Sequence, residues 1–69
     1  MTKTAFHFCC EDSRDKAWEK LVKRFTDVMM YKRGTRCIEI VATLEAREKI
    51  KNYIIRYLSL ILESIFYLD

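Results

Sequence analysis

The chain has 69 residues, of which 51% are hydrophobic and 33% are charged, with one glycine, no proline and a formal net charge of +3. This composition excludes a disordered chain or a flexible linker, and the length indicates one domain over residues 1–69. Three cysteines cannot all pair in disulfides within one chain. The N-terminus also lacks the basic and then apolar pattern of a signal peptide. We therefore expect a cytoplasmic protein with reduced thiols.

The first predicted element is a strand over residues 4–10, TAFHFCC, which is rich in aromatic and small side chains. A helix should follow, with Asp12 or Ser13 as its N-cap and with apolar residues at i, i+3, i+4 and i+7 spacing. These apolar residues are Ala17, Trp18, Leu21, Val22, Phe25, Val28 and Met29. Gly34 follows a basic pair and suits a left-handed C-cap, so we expect the helix to end there.

The second predicted strand covers residues 35–43, TRCIEIVAT, and Thr43 then suits the N-cap of a last helix from residue 44 to the end. The element order is therefore β-α-β-α, in which a crossover helix makes the two strands parallel. The expected fold class is α/β, in the form of a small α+β-like domain. We expect a two-layer sandwich with two parallel strands and both helices on one face, completed by dimerisation.

The last predicted helix is unusually apolar. A polar stripe runs along one side of it, comprising Glu45, Lys49, Asn52, Arg56, Ser59 and Glu63. A second side, which includes Tyr53 and Tyr57, suits packing on the sheet, and a third is apolar in its later turns. That third side holds Ile54, Ile55, Leu58, Leu62, Ile65 and Phe66. Two strands and one helix cannot cover so much apolar surface, so these six residues are predicted to form a dimer interface.

Two alternatives to self-association remain open for this segment. The long helix could bend over its own core in a compact monomer, or it could dock on a different protein or on a membrane surface. A membrane span is not expected, because the uncharged run between Arg56 and Glu63 is only six residues long. Crossing the hydrocarbon core takes about 18 apolar residues.

A weak candidate metal site arises from strand alternation. His7 and Cys9 share one face of the first strand, and Cys37 and Glu39 share the corresponding face of the second. Adjacent strands would bring the four side chains together as a set that zinc accepts. The spacing matches no recognised zinc pattern, so a His7–Glu39 pair facing water or a dimer partner is the favoured interpretation. Cys9 and Cys10 are expected to be buried or partly buried packing residues.

Charged residues segregate in the predicted parallel arrangement. Acidic residues gather where both helices begin, at Glu11, Asp12, Asp15, Glu45 and Glu48. The opposite end collects Lys3, Lys32, Arg33 and Arg36, and the exposed side of the first helix carries Lys16, Lys20, Lys23 and Arg24. These basic residues form a possible binding patch for phosphate groups or an acidic partner. The alternative is that they cap a helix and keep its exposed face soluble.

No motif in the chain indicates a reaction. Paired carboxylates, a Ser-His-Asp set and a glycine-rich phosphate loop are all missing from a sequence with one histidine and one glycine. We therefore expect a non-enzymatic protein without a cofactor. The favoured function is a homodimeric protein-interaction module, an adaptor, regulator or inhibitor of a larger protein assembly. The alternative is a basic nucleic-acid-binding dimer, a transcriptional or RNA-associated regulator.

Overall fold

The computed structural model describes residues 1–68, which form four strands and two helices. In chain order the elements are β1 (Thr2–Phe8), α1 (Glu11–Arg24), β2 (Met29–Arg33), β3 (Cys37–Ala42), α2 (Leu44–Tyr57) and β4 (Leu62–Tyr67). The strands make one antiparallel sheet in the order β2-β3-β1-β4. Each β-α-β unit therefore encloses one strand of the other unit, which is the split β-α-β topology of ferredoxin-like domains.

The predicted β-α-β-α sandwich with two parallel strands is wrong. β1 and β3, which correspond to the two predicted strands, are adjacent but antiparallel, with Thr2 opposite Ala42 and His7 opposite Cys37. Two strands were assigned to helices, β2 to the first helix and β4 to the last. With β2 inserted between α1 and β3, the chain reverses direction once more, so β3 returns antiparallel to β1.

The error at β2 has an identifiable cause. α1 ends at Arg24, where the amide of Phe25 donates to the carbonyl of Leu21 at 2.8 Å. Val28 and Met29 continue the helical spacing of the apolar residues only by coincidence, because Met29 already belongs to β2. Gly34 has a positive φ of 58°, but it lies in the turn between β2 and β3 rather than at a helix end.

The last helix begins as expected and ends early. The Thr43 hydroxyl oxygen accepts a hydrogen bond from the amide of Ala46 at 3.2 Å, which confirms the predicted N-cap. α2 stops at Tyr57, and the chain turns at residues 58–61 before β4. The predicted helix extended to Asp69, which lies outside the described residues. Its apolar second half fits a strand packed on a core as well as it fits a helix, so spacing alone did not distinguish them.

The hydrophobic core lies between the two helices and one face of the sheet. Alternate strand residues point to this face, where residues three or four apart on each helix meet them. The fully buried members are Phe6, Phe8, Ile38 and Ile40 from the sheet and Ala17, Leu21, Ile50 and Ile54 from the helices. Burying each of the larger side chains contributes roughly 1.5–3 kcal/mol, so this packing holds both helices on one side of the sheet.

Within residues 1–68, no helix covers the opposite face of the sheet. It presents the other alternate residues, including Ala5, His7, Tyr31, Glu39 and Phe66. An antiparallel sheet tolerates one face in water, so this open face needs no further layer for stability. Over the described residues, neither α1 nor α2 combines the length and the apolar character that a membrane crossing requires.

Candidate functional site

The six residues predicted to form a dimer interface do not share one face. α2 ends at Tyr57, residues 58–61 form a turn, and the last three of the six residues lie on β4. Ile54 and Leu58 are 0% and 7% exposed and belong to the core. Leu62 and Ile65 lie on β4 and pack partly against that core. The fold of a single chain therefore buries part of the apolar surface of the C-terminal segment.

The rest of that segment is exposed. Ile55 and Phe66, the other two predicted interface residues, are 49% and 50% exposed. Within the described part of the chain, nine large apolar residues are exposed, and six of them lie between Ile55 and Leu68. These six are Ile55, Tyr57, Leu60, Phe66, Tyr67 and Leu68. Phe66, Tyr67 and Leu68 follow one another along the outer strand of the sheet, where apolar side chains invite a partner.

β4 is an edge strand with a free row of backbone groups. It pairs with β1 on one side only, with Phe66 opposite Ala5 and Ser64 opposite His7. The amide of Leu68 donates to the carbonyl of Lys3 at 2.8 Å. Bonded and non-bonded pairs alternate in an antiparallel ladder, so Phe66 and Ser64 also bond to β1. The N–H and C=O groups of Ile65 and Tyr67 therefore point away from the sheet.

The edge strand at the other side of the sheet is different. β2 ends in Lys32 and Arg33, and charged side chains on an edge discourage strand addition. β4 carries one charged residue, Glu63, at the point where its register with β1 shifts between His7 and Phe8. Glu63 is also neutralised by Arg36 at 3.7 Å. β4 is therefore the less protected of the two edges.

The open face has an acidic residue near its centre. Glu39 lies opposite Ala5 on one side and Tyr31 on the other. Its side chain is 14% exposed, with Lys3 at 3.9 Å and Arg33 at 3.7 Å from its Oε1 atom. Both distances exceed a hydrogen bond, so this carboxylate retains capacity to accept further donors from a partner.

The candidate metal ligands are only partly brought together. His7 lies directly opposite Cys37, and the His7 ring contacts Phe66 with centroids 5.0 Å apart. Cys9 lies beyond the end of β1, with its sulfur 3.4 Å from Ser13 Oγ. In residues 1–68 no three His, Cys, Asp or Glu side chains are close enough to hold a metal ion. The predicted four-residue set is therefore not assembled, because β1 ends at Phe8.

The thiols occupy two environments. Cys9 and Cys10 are exposed rather than buried as predicted, because the loop between β1 and α1 lies outside the core. The side-chain hydrogen bond between Cys10 and Ser13, with Sγ and Oγ 3.3 Å apart, lowers the pKa of the Cys10 thiol below its ordinary value. Burial, together with the negative charge of Glu39, raises the pKa of Cys37. The latter thiol is therefore held in its neutral form on the open face.

The predicted charge segregation is wrong, because α1 and α2 begin at opposite ends of the sheet. α1 follows Phe8, whose amide donates to Arg36, whereas α2 follows Ala42, which lies opposite Thr2. The five acidic residues at the helix starts are therefore divided between the two ends. Lys3 is likewise separated from the β2–β3 turn that carries Arg36.

Each residue of the predicted basic end patch lies within ion-pair distance of a carboxylate. Lys3 and Arg33 share Glu39, Lys32 lies 3.3 Å from Asp15, and Arg36 pairs with Glu63. The stripe on α1 differs. Among the described residues, its members Lys16, Lys20 and Lys23 form no ion pair, and together with Glu19 they line a shallow depression. Arg24 does not continue this stripe, because its guanidinium lies over the ring of Tyr53 at 4.9 Å from the centroid.

A larger groove lies where the end of α1 meets the outer side of α2. Its volume is about 360 Å³, and its lining residues are Arg24, Phe25, Lys49, Asn52, Tyr53, Arg56 and Tyr57. We refer to it as the interhelical groove. Sequence reasoning missed it, since it assigned Tyr53 and Tyr57 to the side of the helix that packs on the sheet. The signal that was available is the alternation of aromatic and basic residues between Lys49 and Tyr57.

Comparisons of this chain with protein-family models, with curated proteins and with solved structures found no match. The topology is shared by domains of many functions, so it does not assign one. The function of this chain must therefore be argued from its own surfaces.

Proposed function

We propose that this chain is a non-enzymatic protein-interaction module that acts as a homodimer through the exposed edge of β4. The observation that carries the proposal is the juxtaposition, on one edge strand, of outward backbone groups at Ile65 and Tyr67 with half-exposed apolar side chains. An edge strand of this kind is a template for strand addition, in which main-chain hydrogen bonds supply affinity.

The occupant we propose is a second copy of the chain. An antiparallel pair of identical strands is self-complementary about a two-fold axis, as a closed dimer requires. Centring the axis on Ile65 places Ile65 opposite its own counterpart and Tyr67 opposite Glu63 of the second copy. The outward backbone groups of Ile65 then face one another across the axis, and those of Tyr67 face Glu63 at the register shift. The two sheets then join into one of eight strands.

Side chains on both sides of the edge suit this register. On the open face, Phe66 of one copy would cover Ser64 of the other, since residues flanking the axis pair reciprocally. On the helix side, Ile55 follows Arg47 and Lys51 at four-residue spacing along the flank of α2 that meets β4. The Arg47 guanidinium, 4.6 Å from the centroid of the Tyr67 ring, identifies that flank. Dimerisation would therefore cover exposed apolar residues on both layers.

The interface is small, so we expect a modest affinity. A strand of about six residues at about 3.4 Å per residue spans roughly 20 Å. Strand pairing plus a few apolar side chains falls at the lower end of specific interfaces, which corresponds to micromolar dissociation constants. The resulting dimer would offer its continuous open face, with the under-bonded carboxylate of Glu39 in each half, to a larger protein assembly.

The test uses two substitutions at one position. Tyr67→Pro removes an outward N–H without removing a hydrogen bond to β1, and Tyr67→Thr removes the same ring but keeps that N–H. Because of the two-fold axis, each dimer loses two hydrogen bonds of about 1 kcal/mol each. Tyr67→Pro should therefore raise the dissociation constant of the dimer by about 30-fold. Sedimentation equilibrium at protein concentrations from roughly 1 to 500 µM measures the dissociation constant of the dimer.

We expect the wild type to dimerise, Tyr67→Thr to dimerise somewhat less well, and Tyr67→Pro to dimerise only toward the upper end of this range, with an unchanged circular dichroism spectrum. A wild type that is monomeric throughout this range would overturn the homodimer. Equal weakening by both substitutions would overturn edge pairing, because only the side chain would then matter.

A further inference from the structure

The interhelical groove lies on the α1 side of α2, away from the edge used in the proposed dimer. α2 contributes Lys49, Asn52 and Arg56 to it, while the end of α1 contributes Arg24 and Phe25. The other flank of α2 faces β4, where Arg47 contacts Tyr67. A dimer formed through β4 would therefore leave both copies of the groove open to solvent.

The groove is positively charged. Three cationic side chains line it, those of Arg24, Lys49 and Arg56, and within residues 1–68 the lining includes no carboxylate. Lys49 has one ion-pair partner among the described residues, Glu45 at 3.6 Å. Both of these side chains are largely exposed, so that pair is weak and easily exchanged. The two arginines form no ion pair within residues 1–68, which leaves their charges available to an anionic ligand.

The same groove holds a continuous row of aromatic rings. The centroids of Phe25 and Tyr53 are 5.7 Å apart, and those of Tyr53 and Tyr57 are 5.0 Å apart. Tyr57 at the open end of the row is 61% exposed. The guanidinium of Arg56 lies over the ring of Tyr57, 5.6 Å from its centroid, so a cation lies next to a largely exposed aromatic ring.

We propose that the interhelical groove binds single-stranded nucleic acid. Arg24, Lys49 and Arg56 would contact backbone phosphates, and a base would stack on the exposed ring of Tyr57. Non-sequence-specific single-strand binders combine these two features, a cationic groove that follows the backbone and aromatic rings on which bases stack. The side-chain amide of Asn52 supplies both a donor and an acceptor to the edge of a base.

The aromatic row is what favours nucleic acid over an acidic peptide. An acidic peptide would use the three cations, but it has no repeated planar group to place on Tyr53 and Tyr57. A nucleic acid places a planar base beside every phosphate, as the groove places a ring beside each arginine. Mutation of Tyr57 therefore distinguishes the two ligand classes.

The first experiment measures the anisotropy of a fluorescent oligothymidylate of about ten nucleotides at about 0.05 M salt. The groove variant is Lys49→Gln with Arg56→Gln, and the matched control is Lys16→Gln with Lys20→Gln on the exposed side of α1. Both variants lose two positive charges. The groove variant should weaken binding by about tenfold or more and reduce the salt slope by about 1.4, since each phosphate contact contributes about 0.7.

The second experiment replaces Tyr57. Tyr57→Ser should weaken binding by about fivefold or more through lost stacking, whereas Tyr57→Phe should retain it. Tyr57 is exposed, so both variants should keep the wild-type circular dichroism spectrum. Competition with polyglutamate of matched charge should displace the oligonucleotide poorly.

Three results would overturn the proposal. The wild type could fail to bind the oligonucleotide at low salt, or the α1 control could lose as much affinity as the groove variant, which would indicate diffuse attraction. Displacement by polyglutamate as effective as by unlabelled oligonucleotide would assign the groove to an acidic protein instead. None of these readouts depends on dimerisation, so this proposal and the proposed homodimer can fail separately.

Discussion

The Nη1 atom of Arg14 lies 3.0 Å from the carbonyl oxygen of Cys37, at the first residue of β3. The same nitrogen lies 3.3 Å from the carbonyl oxygen of Gly34 in the β2–β3 turn. Arg14 is only 4% exposed, and its Nε donates to Asp15 at 2.8 Å. A single guanidinium thus joins the first turn of α1 to the turn between β2 and β3.

Replacing Arg14 should destabilise the domain strongly. Arg14→Met keeps an apolar stem of similar length but leaves two carbonyl groups without their charged donor. We expect a loss of about 3 kcal/mol in the free energy of unfolding, measured by urea denaturation. Arg36→Met is the matched control, because Arg36 forms a single exposed ion pair and should cost under about 1 kcal/mol. Equal costs for the two variants would contradict a tethering role for Arg14.

Asp15 should make stability depend on acid pH. Hydrogen bonds from Arg14 and, second, from Lys32 hold the pKa of Asp15 below its ordinary value of 3.8. The carboxylate therefore stabilises the folded state fully above the unfolded pKa, and this contribution is lost as the pH falls through the lowered folded value.

Asp15→Asn should consequently lose less stability than the wild type between about pH 6 and pH 2, measured by urea denaturation at each pH. Asp27→Asn is the control, because Asp27 is exposed and forms no ion pair in the described part of the chain. If the free energy of unfolding of Asp15→Asn fell with pH as steeply as that of the wild type, the Arg14–Asp15 contact would not be the source of the pH dependence.

The hydroxyl group of Thr4 should be replaceable with a gain in stability. Thr4 is 0% exposed, and among the described residues its Oγ1 atom has no hydrogen-bond partner. Thr4→Val keeps the shape and the strand preference of the side chain while removing a buried polar atom. We expect an increase of about 1 kcal/mol in the free energy of unfolding.

Thr2 on the same strand provides the contrast. Its hydroxyl donates to the carbonyl of Ala42 at 3.0 Å, so Thr2→Val should lower the free energy of unfolding by roughly 0.5–1 kcal/mol. The opposite signs of the two Thr→Val substitutions are the prediction. Destabilisation by Thr4→Val would mean that its hydroxyl has a partner in solution.

Substitutions at Gly34 should change the free energy of unfolding through backbone conformation alone. Its φ of +58° lies in the left-handed region, and within residues 1–68 a Cβ atom there would meet no atom within 4 Å outside Gly34 and its two chain neighbours. Gly34→Ala should therefore cost about 1 kcal/mol by backbone strain alone, without steric conflict. Gly34→Asn should cost less, because asparagine tolerates this region better, and thermal unfolding compares the two. A neutral Gly34→Ala would indicate that the turn relaxes to a different conformation.

Only part of the fold could be predicted from local patterns. The two strands with aromatic and β-branched residues correspond to β1 and β3, and the Thr43 cap begins α2 where expected. β2 and β4 were missed for different reasons. Val28 and Met29 continue the helical spacing of the apolar residues in α1. Residues 61–68 contain enough apolar residues to fit either a helix or a strand. Missing these two strands changed the strand direction, and with it the predicted grouping of charged residues at the two ends of the domain.

The surfaces were less predictable than the elements. An excess of apolar residues in the last third of the chain is visible in the sequence, but which of them remain exposed is not. Ile54 and Ile55 are neighbours in the chain, and one is fully buried while the other is half exposed. The interhelical groove joins Arg24 to Tyr53, residues that are distant in the chain, so no local spacing could indicate it.

The amino-acid sequence alone predicts an ordered domain with amphipathic helices, β-rich segments and a C-terminal segment richer in apolar residues than its surface needs. These properties follow from composition and periodicity, which act over a few residues. The folded chain is needed to see that the sheet is antiparallel, that β4 lies at its edge, and that basic and aromatic residues from two helices share one groove. Those features depend on which segments pair across long stretches of chain, and that choice is made by the free energy of the whole core.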